Sequence, residues 1–88
     1  MRSTEEILKE REEQHGAFKA HASIEKELRN IYKYSNPIDV TSVQEIGLGM
    51  ILHKIARLIN GGYNHQDTWE DIAGYATLVA KDMEDERQ

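Results

Sequence analysis

Apolar residues recur at intervals of three and four along most of the chain, and no stretch alternates apolar with polar long enough to predict a strand. Ser3 followed by Glu6 predicts a capping box for a first helix over residues 4 to 14 or 15, with Gly16 as its stop or kink. His21, Ile24, Leu28 and Ile31, extended backward by Phe18, predict a second helical segment over residues 17–34. The two segments are either separate helices or one kinked helix. SNPID, residues 35–39, breaks the pattern, because Pro37 has no amide proton and pushes Asn36 out of the helical region.

Thr41 with Gln44, or Ser42 with Glu45, caps a third helix that runs to about residue 60. Gly61 and Gly62 end it by supplying left-handed conformations. Asp67, three residues before Glu70, is expected to cap a fourth helix. In that helix Trp69, Ile72, Ala73, Ala76, Val79, Ala80 and Met83 form an amphipathic stripe, with Trp69 as its core anchor and the acidic tail EDERQ, residues 84–88, fraying. The predicted fold is all-α. It is a small bundle of three to four helices in one domain, residues 1–88, whose last two helices make an antiparallel hairpin across the short glycine turn.

The third helix carries more apolar residues than one stripe accommodates: Val43, Ile46, Leu48, Met50, Ile51, Leu52, Ile55, Ala56, Leu58 and Ile59. A helix apolar nearly all round is buried on more than one side. With only 88 residues to cover it, a second copy of the chain is the expected cover, giving a dimer or higher oligomer. Gly47, Gly49 and Gly74 lie inside helices at a cost of about 1 kcal/mol each relative to alanine, which predicts a close neighbour at each.

Charge changes the picture by its distribution. The net charge is −5, yet residues 1–35 carry seven basic and seven acidic side chains, against four and nine in residues 36–88. Binding to duplex DNA through phosphate contacts is therefore disfavoured. The absence of cysteine excludes disulfides, thiolate ligands and a cysteine nucleophile, and fits a reducing host cytoplasm. No apolar run reaches the length of a membrane span, and MRSTEEILKE lacks the apolar centre of a signal peptide, so neither membrane insertion nor export is expected.

Against the acidic second half, His53, Lys54 and Arg57 stand together on the third helix. The hairpin should bring Asp67 and Asp71 toward Lys54 and Arg57. One reading is a salt-bridge network that pins the hairpin. The other is an anion pocket in which Arg57 supplies a planar fork, Lys54 a point charge, and the open amides of the fourth helix further donors. His65, in the loop before the cap, would join a looser ligand set with Asp67 and His53. Tyr75, off the main stripe, is expected at a subunit interface and second in contact with ligand. His15 and His21 lack the His-Glu-x-x-His arrangement of a zinc site and are read as structural. Ser3, Ser23, Ser35 and Ser42 occupy cap, surface or loop positions, so no nucleophile–base pair is expected.

LKEREEQHGAF, residues 8–18, and LHKIARLINGGYNHQDTWEDIAGYATLVAK, residues 52–81, resemble an uncharacterised family of small phage and prophage proteins. Its pattern is an ER…YG.F opening, then H-K-I-A-R, a glycine-containing loop and D-S/T-W-x-D-I-A-G-Y-A, with His15 here where many relatives carry tyrosine. The third and fourth helices are also distantly similar to all-α nucleotide pyrophosphohydrolases of the MazG type, which hold magnesium with acidic residues from two antiparallel helices. That resemblance implies a magnesium site made from Glu45, Glu70 and Asp71, with Asp67 nearby.

Three functions follow as expectations. The first is a phage accessory protein, homo-oligomeric and without a cofactor, that binds a small anionic ligand such as a nucleotide and sequesters a host signalling nucleotide. The second is a degenerate magnesium-dependent pyrophosphohydrolase. The third is an inhibitor or adaptor that engages a host protein.

Overall fold

The computed structural model describes residues 3–15 and 17–86, without the side chains of residues 14 and 15. The expected stop at Gly16 and the role of His15 lie outside the described residues. Four α-helices are present and no strand occurs among the described residues: α1 (Thr4–His15), α2 (Phe18–Tyr34), α3 (Ser42–Arg57) and α4 (Gln66–Glu86). None of them is long and apolar enough to cross a membrane.

Side chains set most of the helix ends. Ser3 Oγ accepts from the amide of Glu6 at 3.2 Å, half of the expected capping box at α1. At α3 the structure selects Thr41 and Gln44: Thr41 Oγ1 accepts from the Gln44 amide at 3.1 Å, and Gln44 Oε1 from the Thr41 amide at 3.0 Å. Between α2 and α3, Asn36 (φ 50°) and Asp39 (φ 58°) flank Pro37 in left-handed conformations, residue types that tolerate that region. After α3 the chain widens into a π-helical turn, Leu58–Gly62, in which Gly61 alone has positive φ, at 111°. The expectation that both glycines would be left-handed holds for Gly61 only.

α3 lies between α2 and α4, antiparallel to both. Gln44 Nε2 meets Met83 Sδ at 3.4 Å at one end of the hairpin, and Lys54 Nζ meets Asp71 Oδ2 at 2.9 Å at the other. Between them a Cβ at Gly47 would overlap Val79 Cγ2, so glycine is what lets the two helices close. On the opposite flank Arg29 reaches the Gly49 carbonyl, and Asn60 Nδ2 donates to the Ala17 carbonyl at 2.9 Å. α1 packs beside the Leu58–Gly62 turn, closing one end of the layer.

The expected stripe of α4 divides in two. Thr68, at 1% exposure, with half-buried Ile72, Tyr75, Val79 and Asp82, recurs at four- and three-residue steps and faces α3. Trp69, Ala73, Ala76, Ala80 and Met83 form a second row that stays exposed in the single chain. Trp69 is therefore not core: it is 51% exposed and anchored by its indole N–H, which donates to the Tyr63 carbonyl at 2.7 Å. Tyr75 belongs to the α3-facing row. Nothing approaches Gly74, and the acidic tail continues as helix to Glu86. α4 also starts two residues earlier than expected for an Asp67 cap. His65 precedes it, accepting through its carbonyl from the Thr68 amide at 3.1 Å, with its Nδ1 2.8 Å from Thr68 Oγ1. Asp67 lies inside the first turn, where a negative charge is still favoured by the helix dipole.

Candidate functional site

α2 presents His21 and Glu25 one turn apart on the face it turns to α3, and α3 presents His53 opposite them. His21 Nε2 lies 2.8 Å from Glu25 Oε1, and His53 Nδ1 lies 2.6 Å from the same oxygen. The two ring nitrogens are 3.4 Å apart. His21 is buried, at 6% exposure, and its ring meets that of His53 edge-on with centroids 4.7 Å apart. Arg29, one turn beyond Glu25, donates through Nε to Glu25 Oε2 at 2.8 Å and through Nη2 to the Gly49 carbonyl at 3.1 Å. A side chain at 49 would press on that guanidinium, so Gly49 has the close neighbour its position implied.

Burial pushes the Glu25 carboxyl up, but hydrogen bonds from Arg29, His21 and His53, with the charge of His53, outweigh it and hold the pKa down to about 2. Glu25 is thus a fixed anion shared by two imidazoles and a guanidinium.

Two clefts open on either side of the histidine pair. One, of about 450 Å³, is lined by Leu8, Arg11, Glu12, Phe18, His21, His53 and Arg57. The other, of about 510 Å³, runs along α2 past Phe18, Ala22, Glu25, Lys26, Arg29 and Asn30, with His21 and His53 again in its wall. Phe18 stacks on His21, with ring centroids 6.3 Å apart and planes 10° apart. Among the described residues neither Arg11 nor Arg57 forms an ion pair.

The cluster expected from the sequence is therefore split. Lys54 pairs with Asp71 and staples the hairpin on the α4 side of α3. Arg57 and His53, three and one residues away, belong to the α2 side, because a helix turns about 100° per residue. Asp67 forms no ion pair with Arg57 among the described residues, and His65 is occupied at the start of α4. Glu45 is not brought to Glu70 and Asp71. It stands beside the Met83 end of α4 and lines a different cleft, with Arg29, Lys33 and Asp39, about three helical turns from Asp71.

No local pattern in the sequence singles out Glu25, and the spacing around His21 points only to a structural role. The signal lay in a His-x-x-x-Glu step on one helical face with a third ligand-type residue on the following helix.

Over 56 residues the chain is 46% identical to the Gene 55 protein of Mycobacterium phage L5, a phage relative of the kind the motifs implied. The match covers 61% of this chain and 35% of that protein, so the chain spans about a third of its relative's length. No solved structure matches the chain. Residues 1–83 match the family model described as a domain of unknown function, DUF6378, and the chain belongs to that family.

Proposed function

We propose that the chain is a self-associating helical module that binds a small phosphate-bearing ligand, nucleotides being the favoured class, in the cleft between α1, α2 and α3. The observation that carries this reading is the pair Arg11 and Arg57, which line one cleft from two helices with no ion pair among the described residues. Two planar forks lining one cleft suit a phosphate, whose oxygens accept paired, charge-assisted hydrogen bonds. Phe18, 81% exposed at the same cleft, offers an aromatic face to a base. Glu12 adds an acceptor for a ligand hydroxyl or amino group. Sequestration of a host signalling nucleotide suits a module of this size.

Self-association is supported by how little one chain buries. Its radius of gyration is 15.4 Å, against about 12 Å for a compact domain of this length. Its accessible surface is 6943 Å² for 10.1 kDa, against roughly 5,300 Å² for a folded monomer of that mass. The surplus exceeds the roughly 800 Å² that each partner of a stable complex buries. Val43, Ile46, Leu48 and Ile59 of the α3 region remain exposed, as does the Trp69–Met83 row of α4.

Thermal unfolding of the parent, Arg11→Ala and Arg57→Ala proteins tests the binding reading, with inorganic phosphate, pyrophosphate and nucleoside mono-, di- and triphosphates as ligands. A bound ligand at a hundredfold over its Kd adds roughly 2.7 kcal/mol of stability. The parent midpoint should rise with at least one of them and the rise should vanish in Arg57→Ala. A parent midpoint that none of them moves defeats the reading.

A further inference from the structure

We infer that His21, Glu25 and His53 form a binding site for a divalent transition-metal ion, with open coordination positions turned to the clefts beside it. The three side chains each offer one ligand atom, and those atoms lie within 4.8 Å of one another. Two come from successive turns of α2 and one from α3, so the site exists only when the helices are packed.

The spacing fits a metal shell. Bonds of about 2.0–2.1 Å to imidazole nitrogen and carboxylate oxygen put neighbouring ligand atoms about 3.0–3.4 Å apart. The two ring nitrogens already stand at 3.4 Å. The nitrogen–oxygen contacts, 2.8 and 2.6 Å, are hydrogen bonds that open by a few tenths of an ångström when a metal replaces the shared protons. Both histidines must then present lone pairs at these atoms, which sets the tautomers.

The surroundings are those of a supported ligand set. Arg29 binds Glu25 Oε2 and leaves Oε1 for the site, and is itself fixed by the Gly49 carbonyl. Outer hydrogen bonds of this kind orient a ligating carboxylate. Two imidazoles and one carboxylate select zinc, ferrous iron and similar ions over magnesium, which takes oxygen ligands. Three protein ligands leave at least one position for water or a ligand oxygen. His21 and His53 line the cleft that holds Arg11 and Arg57, so a phosphate oxygen bound there is within the site's own wall. Metal binding does not depend on the phosphate reading: it stands or fails with the metal alone.

The test uses the whole chain in a buffer without phosphate. Zinc is titrated calorimetrically and cobalt(II) by its visible absorption, with circular dichroism confirming the fold of each variant. One equivalent per chain should bind, with visible cobalt bands, and millimolar magnesium should not compete. His53→Ala and Glu25→Gln should each weaken binding at least tenfold, and Arg29→Lys should weaken it while keeping all three ligands. Glu27→Gln, an exposed carboxylate on the same helix, should leave it unchanged. A folded parent that gives no zinc heat and no cobalt bands overturns the assignment, as does binding that His53→Ala leaves intact. If Glu25→Gln unfolds, His53→Ala and the parent still decide.

Discussion

Glu25 is the residue on which the most interactions converge, and its acidity has a measurable consequence. Its folded pKa is lowered from 4.5 to about 2, so the folded state binds that proton less readily than the unfolded one. The resulting stabilisation is complete above about pH 4.5 and is lost as pH falls through that value toward 2. The urea midpoint of Glu25→Gln should therefore lie below that of the parent at neutral pH, and the gap should narrow steadily between pH 4.5 and 2. Two glycines give opposite expectations. Gly47→Ala forces a methyl into Val79 and should cost about 1–3 kcal/mol in denaturant unfolding. Gly74→Ala meets nothing and should stabilise by about 1 kcal/mol through helix propensity.

Each helix was legible in the sequence where its signal was local. The Thr41–Gln44 box and the Pro37 break depend on residues within a few positions of each other, and both stand as read. The start of α4 was misplaced because Asp67 and Glu70 mimic a capping pair, while the Tyr63–Asn64 turn delivers His65 to the helix end first. Asp67→Ala should then cost only the dipole share, roughly 0.3–1 kcal/mol, as read from the urea midpoint. The two faces of α4 merge in the sequence because alanines suit either, and the closeness of Gly47 to Val79 marks the row that meets α3. Lys54–Asp71 was legible from the hairpin. The His21–Glu25–His53 group was not, since its two halves are 28 residues apart and nothing local fixes how α2 lies on α3.

Taken as a whole, the chain leaves more surface in water than its mass warrants, and the exposed row on α4 has the four–three spacing of a helix–helix seam. Its centre is Ala76. Sedimentation equilibrium at micromolar concentration should give a mass above the 10.1 kDa of one chain. Ala76→Glu, which places a charge on that row without touching the α3 face, should return the protein toward monomer with its helix content retained. A parent that sediments as a monomer would refute self-association.

The flank of α3 that meets α2 carries a polar chain of Arg29, Glu25, the two histidines and the bond between Asn60 and the Ala17 carbonyl, beside half-buried Ile24 and Leu28 of α2. Swinging α2 away from the hairpin would break that polar chain and expose only part of the apolar surface that unfolding the whole chain exposes, and denaturant sensitivity scales with the surface exposed. Native-state hydrogen exchange should accordingly find α2 amides released by an opening with a shallow urea dependence, and those of α3 and α4 by a steeper one. A ligand that grips both sides of that polar flank would then control the opening rate of α2 while barely changing the slope with which the whole chain unfolds.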